Sequence, residues 1–463
     1  MPTLHDLSHE PGHTSLPVEP PRWADGALKT AQRIVEALFG PPLTRDFTVR
    51  YWNGMVEWPA HEARFTLDIR TPAALRRMLL PPSELSFVEA YLYGDIDIDG
   101  DIEGAVALGD LAASRIGSAA KVVALSRDAM SLPRGDGDAH AEHGRVARGL
   151  LRFGRAHSQR RDAQAVRFHY DLGNDFYAMW LDRQMVYSCG YFPQGNESLD
   201  DGQSGKLDLI CRKLRLSAGE RMLDIGCGWG ALAIHAATRY DVHATGITLS
   251  ERQAAYARER VAREGLSDRV TIELRDYRDL PRTGSYDKIS SVGMIEHVGE
   301  GRLDEYFDAA FHALRPGGLF LNHGIVSVEA ARPSSKMDAV WARLWKRGAF
   351  IDRYVFPDGE LVPIATVIAA AERNGFELRD AENLREHYVT TLRHWVDRLE
   401  HHDAEARALV GEVTYRVWRL YMAASAYAFD TGRIGIVQSL LAKVDEHGNT
   451  SAPRSRADLY LNG

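Results

Sequence analysis

The ten residues from Arg221 to Gly230 constrain the fold of this chain more than any other stretch. An apolar run, Met222 to Ile225, enters three glycines at alternate positions, Gly226, Gly228 and Gly230, and leaves as a helical pattern that begins at Ala231. Strand, tight turn and helix form the opening unit of a doubly wound parallel sheet, with its ligand crevice at the carboxyl edge. Glycines there let the backbone turn sharply and come close to a ligand that any Cβ would keep away. A dinucleotide site has the spacing G-x-G-x-x-G and an acid about 20 residues further on for the ribose. Here the spacing is G-x-G-x-G with Asp224 just ahead of it. The next strand runs out through Ala244-Thr-Gly-Ile-Thr-Leu-Ser250 with no acid at its end. NAD is therefore disfavoured.

The 463 residues leave room for two or three domains, and 45% hydrophobic with 26% charged residues is an ordinary globular composition. A formal net charge of -8 argues against bulk nucleic-acid binding. Cys189, Cys211 and Cys227 show no C-x-x-C spacing and are too few for a disulfide framework, which fits a reducing cytoplasm. The first residues are polar and proline-rich without an apolar signal core, and no run reaches the roughly 18 apolar residues of a spanning helix. Any membrane contact is expected to be peripheral.

In chain order, residues 1–25 read as a disordered lead and 26–125 as a small α+β domain. That domain opens with a helix from Ala27 and holds alternating strands at Phe47–Trp52 and Ala63–Ile69. Asp95-Ile-Asp-Ile-Asp-Gly-Asp101 imitates the start of an EF-hand loop, but its twelfth position is Val106 where a bidentate glutamate is required. A strand with one solvated face is the simpler reading, and no metal site is expected. Residues 126–164 form a linker with arginines at 145, 148, 152, 155, 160 and 161 among Leu150, Leu151 and Phe153. It suits either contact with anionic lipid or a solvated helix. Residues 165–445 alternate strand and helix as an α/β sheet requires. The strands are Asp241–Ile247, Val270–Leu274, Tyr286–Val292 and Leu319–His323, Ser250 caps the helix that runs to Glu264, and Leu314–Gly318 reads as a turn. The C-terminal third reads as helical, and 446–463 as a frayed tail.

Asp-x-Gly-x-Gly-x-Gly resembles motif I of the S-adenosylmethionine-dependent methyltransferases. Four further patches occur in order: His169-Tyr-Asp-Leu-Gly-Asn-Asp-Phe-Tyr177, Tyr187-Ser-Cys-Gly-Tyr-Phe192, Met294-Ile-Glu-His-Val-Gly299 and Tyr354-Val-Phe-Pro-Asp-Gly359. Together they resemble the cyclopropane fatty acid synthases and their mycolic acid relatives over about residues 164–444, and more weakly before that. The resemblance implies a class I, Rossmann-like methyltransferase with a seven-stranded sheet and helical insertions, acting on the cis double bond of an unsaturated acyl chain in a phospholipid. It places S-adenosylmethionine contacts on Tyr187, Ser188, Asp224, Gly226, Gly228, Gly230, Thr248, Leu249, Gln253, Tyr277 and Arg278. It also implies a bound bicarbonate held by Cys189, Glu296, His323, the backbone of Ile325, and Tyr388. A homodimer, cytoplasmic and peripheral to the inner face of the membrane, is expected from the resemblance alone.

The chemistry explains why such a set is needed. An isolated alkene is a poor nucleophile and must be held against the sulfonium methyl, so orientation supplies much of the rate. Methyl transfer leaves a carbocation, from which a base must take a proton of the new methyl while water is excluded. Taken singly, Cys189 reads as a small buried hydrophobe and His323 as a core histidine; Glu296, just beyond an apolar strand, needs a partner to be buried cheaply. Ser425 stands where many family members carry a cysteine, so either that thiol is dispensable or the reaction is something other than ring closure; the bicarbonate scheme, which gives the proton to another base, favours dispensability. Ser335–Arg347 places Val340, Trp341, Leu344 and Trp345 on one helical side, suiting either a lid that dips into a bilayer or a helix packed on the N-terminal domain. Two alternatives stay open: the same first step giving a methylene branch, and a non-catalytic lipid-binding relative.

Overall fold

The structure, a computed structural model, describes residues 23–116, 118–134, 172–328, 348–356 and 359–459. Most of the lead and of the basic linker, the start of the His169 patch, the candidate lid and Pro357–Asp358 lie outside the described residues. Among the described residues the strands make two sheets. The smaller contains β1 (Thr48–Tyr51), β2 (Val56–Glu57), β3 (Phe65–Ile69) and β4 (Ile96–Gly100) in the order β2-β1-β3-β4. Period-two burial holds in β3, where Phe65, Leu67 and Ile69 are buried and Thr66 and Asp68 are not. The same alternation makes the EF-hand imitation a strand: Ile96 and Ile98 face inward, and Asp97 pairs with Arg70 and Arg416. Helix Trp23–Phe39 buries Ala31, Ile34, Val35 and Leu38, one face of a helix. It begins inside the stretch expected to be lead.

The larger sheet contains β5 (Arg221–Ile225), β6 (His243–Thr248), β7 (Val270–Leu274), β8 (Tyr286–Val292), β9 (Leu314–Ser327), β10 (Glu377–Asn383) and β11 (Ile434–Ala442). Its order is β10-β11-β9-β8-β5-β6-β7. β5 to β9 are mutually parallel, while β11 runs antiparallel to β9 and β10 antiparallel to β11. The chain winds outward through β6 and β7, then returns to the other side of β5 with β8. The crevice between β5 and β8 is therefore the switch point at which such sheets bind ligands.

Three expectations need correction. Leu314–Gly318 is not a turn before a strand but the strand's own start. Leu314 pairs with Tyr286, the register then slips, and pairing resumes at Leu319 with Lys288. The Arg-Pro-Gly-Gly stretch is the slack that this slip takes up. The C-terminal third is not wholly helical, for it supplies β10 and β11. Residues 447–459 of the expected tail are not frayed: the Ser451 amide donates to the Gly317 carbonyl, and Asp458 and Arg456 pair with Arg215 and Asp380.

Helices Arg385–His401 and Glu412–Asp430 pack on each other, and the second also packs on helices Glu84–Leu92 and Ile102–Val106, which flank β4 of the smaller sheet. Arg416 and Arg419, both buried, supply the joint. Arg416 donates to the Tyr91 carbonyl at 2.7 Å and pairs with Asp97, while Arg419 donates to the Ile98 and Gly100 carbonyls, each at 3.1 Å. Arg393 to Glu103 is a half-exposed pair across the same boundary. Arg416→Ala leaves the buried Tyr91 carbonyl without its donor and Asp97 with Arg70 alone, and a loss of about 2 kcal/mol is expected. Arg393→Ala is expected to cost about 0.5 kcal/mol. Urea denaturation checks both, as a lower midpoint at unchanged slope for Arg416→Ala and almost no shift for Arg393→Ala.

Candidate active site

The glycine loop leaves β5 at Ile225 and enters helix Ala231–Tyr240. Gly226 has φ of +79°, and a Cβ on it would lie 2.4 Å from Cγ of Met294. Gly230 has φ of +82°, with Ala257 of the next helix 3.1 Å from where its Cβ would be. One glycine opens the crevice; the other lets the helices close on it. The cavity here is lined by Tyr187, Ser188, Asp224, Gly226, Gly228, Thr248, Leu249, Gln253 and Tyr277. Gly230 and Arg278 are not in its wall. Arg278 pairs with Asp276 at 2.6 Å, both side chains buried, and its guanidinium lies 5.1 Å from the Tyr277 ring centre.

The polar wall is organised. Thr248 Oγ1 donates to Gln253 Oε1 at 2.9 Å, and Ser290 Oγ donates to Asp224 at 2.8 Å. Lys206, which sequence reasoning missed, also lines the cavity and donates to Ser188 Oγ at 2.8 Å; Gln203, one turn away, donates to the Ser188 carbonyl at 2.7 Å. Burial raises Asp224 to about 6 and lowers Lys206 to about 8, with Asp182, Cys189 and Asp224 opposing the fall in Lys206. Trp229 donates through Nε1 to Asn174 at 2.8 Å, which ties the His169–Tyr177 patch to the loop.

Beside this cavity lies a second set. Helix Ile295–Val298 follows β8 and carries Glu296 between Met294 and His297, both cavity-lining. Glu296 Oε1 accepts the Ile325 amide at 2.7 Å, while its Oε2 is buried with no partner among the described residues. The Ile325 amide is thus spent on Glu296. His323, on β9, is buried; its Nδ1 lies 3.3 Å from Nε2 of Gln438 and its own Nε2 has no partner among the described residues. The His323 carbonyl accepts the amide of cavity-lining Gly293 at 2.9 Å. Cys189 donates to the Gly190 carbonyl at 3.2 Å and to the Leu384 carbonyl at 3.7 Å; that same Leu384 carbonyl takes the Tyr388 amide at 3.1 Å. The Tyr388 ring packs on Phe429 and Trp395.

An aromatic wall joins the two sets. Tyr187 lies among Trp180, Trp395 and Trp418, and its hydroxyl donates to Tyr421 at 3.4 Å. Burial raises Tyr421 to about 12; Glu296 adds to the rise, and hydrogen bonds from Tyr187 and Ser425 oppose it. Ser425 therefore works beside Tyr421. Tyr354 turns elsewhere, donating to Glu89 at 2.9 Å and meeting Tyr93 at 3.0 Å, so that patch is bonded to helix Glu84–Leu92 and its cap, while Phe356 packs between His297 and Tyr421.

A glycine-rich crevice at the switch point, with a polar wall and an aromatic flank, defines a class I S-adenosylmethionine-dependent methyltransferase. Residues 157–439 match the mycolic acid cyclopropane synthetase family, and residues 34–111 match a domain of unknown function. The chain belongs to the mycolic acid cyclopropane synthetase family, and it is an S-adenosylmethionine-dependent methyltransferase. It is 47% identical over 307 residues to a probable fatty acid methyltransferase of Pseudomonas putida, covering 66% of this chain and 76% of that one. With the cyclopropane-fatty-acyl-phospholipid synthase of Escherichia coli it shares 40% over 280 residues, covering 60% and 68%. The crystal structure of mycolic acid cyclopropane synthase CmaA1 with SAH and CTAB superposes with a TM-score of 0.56 at 33% identity, covering 61% of this chain and 98% of that one.

Burial raises Glu296 to about 7 from an ordinary value of 4.5, with the Ile325 amide opposing. Between those two values the unfolded chain has lost the Glu296 proton and the folded protein still holds it, so this group's contribution to stability falls as pH rises. Glu296→Gln removes that loss. The melting temperature of Glu296→Gln relative to the unaltered protein is expected to rise between pH 5 and pH 8, and thermal scans across that range check it.

Proposed function

We propose that this enzyme transfers a methylene unit from S-adenosylmethionine to the cis double bond of an unsaturated phospholipid acyl chain, giving a cyclopropane. The observation that carries the reading is a pair of buried polar atoms without partners among the described residues, Glu296 Oε2 and His323 Nε2, on segments that flank the cofactor cavity. Leaving such atoms unpaired is costly unless something binds there. A small anion with several oxygens, such as bicarbonate, fits a carboxyl that is protonated up to about pH 7, a neutral imidazole and a thiol. When bound, S-adenosylmethionine supplies the electrophilic methyl, and bicarbonate supplies the base that removes the ring-closing proton.

The chain's own residues do the rest. Asp224, Ser188, Thr248 and Gln253 orient the methyl donor, as the polar wall of the crevice suits an amino-acid end and a ribose. The Ile325 amide fixes one oxygen of Glu296 and so directs the other. Cys189, whose thiol burial holds well above its usual range, serves as a hydrogen-bond donor and not as a nucleophile. Tyr187, Trp180, Trp395 and Trp418 exclude water from the cation that methylation leaves on the chain. The substrate is lipid, so we place the protein at the inner membrane surface, as a cytoplasmic homodimer; among the described residues no helix is long and apolar enough to cross a membrane. The kinship with a probable fatty acid methyltransferase favours a second reading, in which the same cation loses a different proton and the product carries a methylene branch.

The test is mass spectrometry of monounsaturated phospholipid vesicles incubated with the enzyme and methyl-labelled S-adenosylmethionine, with derivatisation that reports double bonds. A one-carbon gain with loss of the alkene is expected. A gain with the alkene kept selects the methylene branch, and no gain overturns the acyl-chain reading. Glu296→Gln is expected to bind SAH unchanged and to lower turnover by about 100-fold or more.

A further inference from the structure

Behind His323 runs a row of polar side chains that the reaction scheme does not use. His323 on β9 pairs in register with Gln438 on β11, and Gln438 with Glu382 on β10. Lys213, from helix Leu199–Leu214 under the sheet, closes the row. Its Nζ is ion-paired with Glu382 and donates to Gln438 Oε1 at 2.6 Å. His323, Gln438 and Lys213 are all buried, at 1%, 1% and 2% exposure, so water does not compete for these bonds.

The donor inventory of these groups leaves one consistent arrangement. An ammonium has only protons to offer, so the carboxamide must turn its oxygen to Lys213. The amide nitrogen, a donor only, then faces His323 Nδ1 at 3.3 Å. Nδ1 must accept. Burial together with the charges of Lys206 and Lys213 keeps the imidazole neutral, well below its usual titration range. A neutral ring that accepts at Nδ1 carries its proton on Nε2, the atom that is buried without a partner among the described residues.

We propose that Gln438, held by Lys213, is a positioning residue that locks His323 in the neutral Nε2–H tautomer, so that the imidazole presents a donor to a bound anion. Its Nδ1 lone pair is engaged by Gln438 and its Nε2 carries hydrogen. His323 therefore has no free lone pair and is not the base that takes the ring-closing proton. The anionic ligand follows from the proposed function, but the tautomer follows from the buried row alone.

The test is nitrogen-15 histidine NMR of the full chain with SAH bound, with His323 assigned by the signals lost in His323→Gln. In the unaltered protein, Nδ1 of His323 is expected in the unprotonated range and Nε2 in the protonated range. Gln438→Glu replaces the amide donor by a carboxylate acceptor of the same shape, and protonation of Nδ1 is the expected response. Lys213→Met frees the amide to flip, and a mixture of tautomers is expected. A protonated Nδ1 in the unaltered protein overturns the proposal, whether or not any variant folds. So does a Gln438→Glu spectrum with Nδ1 still unprotonated. Absence of acyl-chain turnover would overturn the function proposed above and leave the spectra unchanged.

Discussion

The 2.7 Å bond from the Ile325 amide to Glu296 is the joint on which the site depends. It ties the end of β9 to the short helix after β8, two segments whose strands already run parallel and in register through Val292 and His323. The approach is possible because residue 324 is glycine: a Cβ there would lie 2.2 Å from Ile295 and 3.7 Å from the free oxygen of Glu296. Because one amide fixes one oxygen, the second is left without a choice of direction. The cofactor cavity gains a shared wall by the same means, since Gly293, Met294 and His297 belong to the segment so fixed.

The far side of the site is built from a different part of the chain. Helix Glu412–Asp430 holds the smaller sheet through Arg416 and Arg419, and two residues later turns Tyr421 toward Tyr187 and the site. Phe356 packs on Tyr421 while Tyr354 is bonded to Glu89. One hydrophobic cluster accordingly runs from helix Trp23–Phe39 through Phe176 and Trp180 to Trp418 and Phe429. Such continuity makes the aromatic wall part of a packed interior, so the site is kept dry by the same contacts that join the two sheets.

What was legible in the sequence was what backbone geometry or apolar periodicity dictates locally. The alternate glycines, the period of β3 and the Ser250 cap follow from rules that act within a few residues, and the structure has each where those rules put it. β10 was invisible because Glu-Leu-Arg-Asp-Ala-Glu-Asn is an edge strand with no fully buried residue, and its pairing with β11 lies far along the chain. The slip at Leu314 depends on a neighbouring strand's register, which no local pattern carries. Lys206 and Lys213 sit on a helix whose sequence reads as amphipathic with a charged face, and only the fold shows that both ammoniums are under the sheet. Gln438 in Ile-Gly-Ile-Val-Gln-Ser-Leu-Leu-Ala was one polar residue in an apolar run, and its meaning came from its two partners.

Burial acts on Cys189, His323 and Glu296 in one direction: it favours the neutral form of each. For the thiol and the imidazole the effect carries the pKa far outside the physiological range, so neither changes charge there. Glu296, at about 7, is the member of these three that titrates near neutrality. A carboxylate and a second anion sharing a dry pocket repel each other strongly, so one of them must hold a proton. On the proposed reading, an anion enters most readily when Glu296 is protonated, and its binding takes up a proton when Glu296 begins ionised. The Ile325 amide sets the balance: without it Glu296 would hold its proton to still higher pH, and with more donors it would stay ionised and keep the anion out. Weak backbone donation to a buried glutamate, led by the Ile325 amide, is what leaves its charge free to follow the occupancy of the pocket.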